Sequence, residues 1–160
     1  MTSRRGVLLS CLALGLLLAC DRREPPRGPV ERAELGVFFG GQVQERKEIP
    51  FSLDRTKQTW GFRLTFREPL RKTAELAWEI DRPGPRGRGR AVEMGDAKVR
   101  VGQAVFDQEI VMKPGDPLGT WNVRVVVDGE VVIDRSLGVY DAAARRREQG
   151  PVLSRQKRKD

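Results

Sequence analysis

Between residues 60 and 66 the side chains alternate without a break: Trp60, Phe62, Leu64 and Phe66 are large and apolar, while Gly61, Arg63 and Thr65 are not. Successive side chains of an extended chain point to opposite faces, so a period of two puts the four large groups in one row and commits the segment to a strand with one buried face. The same period recurs down the chain. Leu76, Trp78 and Ile80 alternate with Glu75, Ala77 and Glu79; Ala104, Phe106, Ile110 and Met112 face away from Val105, Asp107, Glu109, Val111 and Lys113; Trp121, Val123, Val125 and Val127 form a further row. A chain patterned this way has to build sheets and pack their dry faces together.

One turn fixes how two of the rows meet. Asp128-Gly129 follows Val127 and precedes Val131, and Asp-Gly between β-branched runs marks a type I′ hairpin, whose two central residues need positive φ. Gly40-Gly41, Glu68-Pro69, residues 82–90 (RPGPRGRGR) and residues 113–119 (KPGDPLG) supply further turns. With a first strand near residues 35–39, a short one near Val92 or residues 99–101, and a return through Val131, Ile133 and residues 137–139, the chain holds about seven strands. Each is half apolar and half polar, as in two antiparallel sheets with wet outer faces. The expected fold class is therefore all-β, an antiparallel β-sandwich over residues 33–140 with Trp60, Trp78 and Trp121 in its core. The spacing resembles that of immunoglobulin-like and fibronectin-III-like domains, which implies that Trp78 is the buried tryptophan of a third strand. A transthyretin-like sandwich fits the same pattern, and periodicity does not separate the two. After Tyr140 the period changes: Asp141 is placed to cap a short helix over residues 142–149, Gly150-Pro151 stops it, and residues 150–160 are too hydrophilic to join a core and are expected to be disordered.

At the start of the chain, Arg4 and Arg5 precede an apolar run over residues 7–18 that closes on Leu17-Leu18-Ala19-Cys20. About a dozen apolar residues fall short of the roughly 20 that span a membrane and suit a cleaved export signal. The ending resembles the lipobox of bacterial lipoproteins, with Leu17, Ala19 and Cys20 at the family's leucine, small residue and lipidated cysteine. The resemblance implies that residues 1–19 are removed, that Cys20 takes a diacylglyceryl group, and that the new amine is acylated. Each buried methylene contributes about 0.8 kcal/mol, so two or three chains hold a soluble domain on a membrane without spanning it. The expected location is the bacterial cell envelope, facing the periplasm or the exterior. Residues 21–32 (DRREPPRGPVER) are charged, rich in proline and free of apolar periodicity, so Cys20 and this stretch are expected to form a tether ahead of the sandwich.

Composition narrows the chemistry. There is no histidine, and Cys20 would be consumed by lipid, which excludes His-based acid–base catalysis, Ser-His-Asp and Cys-His nucleophiles and the usual zinc sites. No cofactor or metal is expected, and the one cysteine left after processing has no partner for an internal disulfide. Ser52, Ser136 and Ser154 stand in no Gly-x-Ser-x-Gly elbow, and no P-loop, dinucleotide fingerprint or EF-hand loop is present. Catalysis would have to rest on carboxylate pairs, Asp107 with Glu109 or Glu75 with Glu79, each on one strand face. Alternating charge on a wet strand face accounts for both pairs, so no catalytic residue is expected.

The chain carries 30 Lys and Arg against 22 Asp and Glu, and the excess is local. Residues 82–90 hold four arginines and no acid; residues 141–160 hold seven basic against three acidic residues. The body between is nearly balanced, which together with export argues against nucleic acid as a partner. Arg86, Arg88 and Arg90 are the candidate binding residues, because guanidinium forks suit the phosphate or carboxylate groups of an acidic envelope polymer, a lipid headgroup or an acidic protein. A solvated Gly-Pro loop is the plainer reading of the same residues. The expected function is a non-enzymatic binding or assembly module, held at the membrane through lipidated Cys20. An accessory anchor or pilot lipoprotein of a secretion or motility complex, and a carboxylate-only polysaccharide or peptidoglycan hydrolase, are the alternatives.

Overall fold

Folding converts each apolar row into a strand. The computed structural model describes residues 28–54, 58–84 and 88–148, over which nine strands and a helix follow in order: β1 Val30–Phe39, β2 Gln42–Glu45, β3 Glu48–Pro50, β4 Thr59–Phe66, β5 Ala74–Pro83, β6 Arg90–Val99, β7 Val105–Glu109, β8 Gly119–Val127, β9 Glu130–Tyr140 and α1 Ala142–Glu148. The lipobox with Cys20, the residue Arg86 and the stretch 150–160 expected to be disordered lie outside the described residues.

Two sheets form, ordered β2-β1-β4-β7 and β3-β9-β8-β5-β6. Neighbours are antiparallel except β3, which runs parallel to β9 with Glu48 opposite Gly138 and Pro50 opposite Tyr140. β1, β4 and β7 hold the places of strands A, B and E, and β9, β8, β5 and β6 those of G, F, C and C′, in an immunoglobulin-like sandwich. This order decides between the two topologies that periodicity leaves open.

The rows meet as the alternation requires. Trp60, Phe62, Leu64 and Phe66 of one sheet pack on Leu76, Ile80, Trp121, Val123, Val125 and Val127 of the other, all buried. Burying a side chain of this size contributes about 1.5 to 3 kcal/mol. Trp60 meets Trp121 edge to face across the sheets, with ring centroids 5.7 Å apart. Where antibody domains join strands B and F by a disulfide, this disulfide-free core joins them by aromatic packing. Trp78 is partly buried against the core, edge-on to Phe62, and its indole lies over Gly95 of the neighbouring strand, where a Cβ would collide with the ring. Among the described residues the buried apolar ones all fall between Val30 and Val139.

The hairpin at Asp128-Gly129 has the positive φ pair of a type I′ turn, 48° and 83°. Just beyond it the register shifts, so that Val125 faces Ile133 but Val126 faces Val131. The extra residue, Val132, makes a bulge, and Val131, expected beside Ile133 in the buried row, is turned to solvent. Three other boundaries differ from expectation. β1 begins at fully buried Val30, so the sandwich starts before residue 33; a register irregularity between Val30 and Arg32 hides that strand's start from any simple period. β2 and β3 are too short to show a period. β6 runs ten residues but, as an edge strand, fully buries only Val99.

Pairing also sorts the loops to two ends. Gly28-Pro29, residues 67–73 and 100–104 and the Asp128-Gly129 turn share the end at which the chain enters, here the proximal end. Residues 51–58, 84–89 and 110–118 share the opposite, distal end, where Tyr140 leads into α1. Strands of eight to eleven residues separate the two ends by about 30 Å.

Candidate functional site

β5 continues its inward row past Ile80 to Arg82, the last inward position before loop 84–89. The Arg82 side chain is only 7 % exposed. Its Nη1 donates to Asp116 Oδ1 at 2.7 Å, its Nη2 bonds Glu93 on β6, and its guanidinium lies 4.6 Å over the Trp121 ring. Asp116 also accepts the Lys113 backbone N–H at 2.7 Å, and Lys113 Nζ reaches Glu93 at 3.2 Å. Burying a guanidinium costs several kcal/mol unless counter-charges and hydrogen bonds offset it; two carboxylates and an aromatic face do so here. The Arg82 Nε has no hydrogen-bond partner among the described residues. A shallow cleft of about 350 Å³ opens beside it, lined by Arg82, Ala91, Val92, Glu93 and Lys113.

Arg82 therefore does not belong to the basic loop in which its sequence neighbours place it. Among the candidate binding residues, Arg90 is also engaged: its Nε donates to Asp81 Oδ1 at 2.7 Å. That bond, helped by Asn122, holds the Asp81 carboxyl below its ordinary value despite some desolvation. Arg88 is exposed at the loop, and Arg86 lies outside the described residues. The expected trio is thus divided, with Arg90 bonded to its own sheet and Arg88 facing solvent.

α1 adds to the same end. Asp141 Oδ1 accepts the N–H of Ala143 at 2.7 Å and of Ala144 at 3.1 Å, the N-cap expected of it. These two bonds, that from Ala144 first, hold its carboxyl below the usual range. Arg145 turns back onto the sandwich, 2.8 Å from Glu48 and 4.3 Å over the Tyr140 ring, while Arg146 and Arg147 are exposed.

The carboxylate pairs are placed differently. Asp107 and Glu109 share the outer face of edge strand β7, but Arg63 Nε and Nη2 fork onto Asp107 at 2.6 and 2.7 Å. The register Glu34, Arg63, Asp107 across β1, β4 and β7 puts a guanidinium between two carboxylates, and bonding to Asp107 raises the Arg63 pKa. Glu75 and Glu79 lie on the outer face of β5, with Glu79 opposite Arg124. A larger cleft of about 480 Å³ lies where β2 crosses to β3, between Leu35, Glu45, Arg46, Lys47, Asp134, Arg135 and Ser136; its charges are mixed, and Arg135 closes it by bonding Glu45 at 2.8 Å.

The strand order assigns an immunoglobulin-like sandwich. No protein-family model matches the sequence, and no curated protein matches it. Among solved structures, an immunoglobulin-like protein from Pseudomonas aeruginosa is similar over 72 % of this chain and 94 % of its own, at 18 % identity and a TM-score of 0.48. An alkylpurine DNA glycosylase from Pseudomonas fluorescens, bound to DNA containing an abasic-site analog, is similar over 68 % of this chain but only 30 % of its own, at 17 % identity and a TM-score of 0.38. Among the described residues no helix is long and apolar enough to cross a membrane, and no group of three His, Cys, Asp or Glu is placed to hold a metal ion.

Two networks escape sequence reading, Arg82 with Asp116 and Glu93, and Glu34 with Arg63 and Asp107. For the first a signal exists: Arg82 is in phase with Leu76, Trp78 and Ile80, so the period that buries those three carries it inward as well. For the second there is none, because cross-strand neighbours depend on register.

Proposed function

We propose that this chain is a lipid-anchored extracytoplasmic protein of the bacterial cell envelope whose sandwich is a non-enzymatic binding module, with Cys20 as the anchor and the distal end as the face offered to an acidic partner. The observation that carries this reading is the polarity of the fold. The described chain enters the sandwich at Gly28, eight residues after Cys20, while Arg88 and the arginines of α1 stand at the opposite end. A module built to hold a partner away from its anchor needs that separation. The carboxylate-only hydrolase is weakened by the Arg63 fork on Asp107, which ties one member of that pair to its neighbouring strand.

Two measurements test the reading. In cells, Cys20→Ser in the full chain is expected to move the protein from the membrane pellet to the soluble fraction and to abolish processing that is sensitive to globomycin. A variant that still pellets would place the anchor elsewhere. Residues 21–160, incubated with peptidoglycan, are expected to release no soluble fragments; release that is lost on Asp107→Asn would overturn the non-enzymatic reading.

A further inference from the structure

The distal end carries more than charge. Leu53, Val111 and Leu118 stand at loop positions there with 51, 42 and 48 % exposure. Their loops are bound to one another: the Ser52 N–H reaches Met112 Sδ at 3.3 Å, the Phe51 N–H bonds the Tyr140 carbonyl at 2.8 Å, and Arg82 ties Asp116 to the base of loop 84–89. Arg88, Arg146 and Arg147 are exposed at the same end. The acids of this end are largely engaged: Asp81, Glu93, Asp116 and Glu48 each bond an arginine, Asp141 caps α1 and Asp54 is also partnered, which sets Glu148 against the outward arginines. The proximal end also exposes apolar residues, Val101, Val105 and Val131. There, however, charges of both signs are mixed: Glu68 pairs with Arg71, and Lys72 lies 3.9 Å from Asp128, whose hairpin also carries Glu130 beside Glu75.

Apolar tips from separate loops, ringed by guanidinium groups, match a bilayer interface: the tips enter the acyl boundary while the arginines meet headgroup phosphates. A polyanionic polymer would use the charges but give the tips nothing to bury. We infer that the distal end docks on an anionic lipid surface, through Leu53, Val111 and Leu118 with Arg88, Arg146 and Arg147. Resting on the reading of Cys20 as the anchor, this surface belongs to a second bilayer. Eight residues from Cys20 to Gly28 span at most about 29 Å, no more than the roughly 30 Å between the two ends of the sandwich. End-on docking of the distal face onto the anchoring leaflet would need a fully extended tether, so the anchored molecule is placed to bridge two membranes.

The sequence provides the means of testing this. Residues 20–160 contain a single cysteine, Cys20, which can be coupled to maleimide lipid in neutral phosphatidylcholine vesicles, whatever happens to it in the cell. Mixed with vesicles containing phosphatidylglycerol, these are expected to cluster, and with purely neutral vesicles to stay dispersed, as read by light scattering. Arg88→Gln, Arg146→Gln and Arg147→Gln together should weaken docking about 100-fold, and Leu53→Ser, Val111→Ser and Leu118→Ser together should abolish clustering while circular dichroism remains native. In a Leu118→Trp variant, brominated lipid should quench the new fluorophore. No clustering, clustering that survives the serine variant, no quenching at position 118, or equal clustering with neutral vesicles coated in polyglutamate would each overturn the lipid reading. Because the coupling is chemical, these outcomes are independent of whether Cys20→Ser releases the protein from membranes in cells.

Discussion

The two ends of the sandwich are closed by different means. At the proximal end loops are joined by backbone bonds: Arg67 N–H to the Pro29 carbonyl at 3.0 Å, Leu70 to Gln103 at 3.1 Å, Gly102 to Leu70 at 2.8 Å, and Asp128 to Glu75 at 2.8 Å, with Asp128 Oδ1 accepting the Glu75 N–H in return. At the distal end backbone bonds, among them Phe51 N–H to the Tyr140 carbonyl at 2.8 Å and Gly84 N–H to the Gly89 carbonyl at 2.9 Å, are joined by a larger set of charged side chains, Arg82 with Asp116 and Glu93, Arg90 with Asp81, and Arg145 with Glu48. Backbone bonds survive most substitutions and changes of solvent; ion pairs depend on particular side chains and on their protonation. The end that receives the chain is thus built to be fixed, and the end that projects arginines is built from groups that can change partners.

The comparison breaks most visibly at Arg82. Arg82→Ala leaves Asp116 without its cation and uncovers Trp121, and is expected to cost about 3 to 5 kcal/mol in chemical denaturation. Arg82→Met keeps most of the packing, so a variant as stable as the native chain would show that the indole contact, not the ion pairs, holds this end. Gly129→Ala tests the proximal end: a φ of 83° is strained for an L-residue, and a loss of about 1 to 2 kcal/mol is expected, with the same value at pH 7 and pH 5. Acid should then separate the ends. Bonding to Arg145 holds Glu48, bonding to Arg90 holds Asp81, and the cap bonds hold Asp141, each below the ordinary carboxylate value. The folded state takes up these protons less readily than the unfolded chain, so their stabilisation is complete above about pH 5 and is lost as pH falls through the depressed values. With no histidine in the chain, stability is expected to be flat between about pH 5 and 8, and hydrogen exchange under acid should rise first at the distal loops and α1. The smallest effect belongs to the tail. Among the described residues, ending the chain after Tyr140 removes the contacts of Arg145 with Glu48 and the Tyr140 ring, and the thermal midpoint should hardly move; a large drop would mean that the tail is part of the fold.

How much of this was legible in advance depended on whether a feature is local. The rows Trp60 to Phe66 and Trp121 to Val127, the Asp128-Gly129 hairpin and the Asp141 cap are decided by neighbours within a few residues, and each is found where the pattern puts it. The candidate site fared less well. Arg88 is exposed as expected, but Arg90 is bonded across its own strand pair, and Arg82 is counted with the loop only until its phase is followed inward. Asp107 looked like half of a carboxylate pair because Glu109 is its neighbour in sequence; its partner in space, Arg63, is forty-four positions away.

By itself, then, the sequence determined that this protein is built of half-buried strands, that no histidine contributes to its core, and that its charge excess is confined to two segments. Those properties are set by composition and by a period of two, which a chain cannot avoid once it is extended. Only the tertiary structure decided the strand order, the bulge that turns Val131 outward, the burial of Arg82 and the placing of Arg88 and α1 at the end opposite the chain's entry. Each depends on which strands pair and in what register, a choice made by the whole core at once and recorded at no single position.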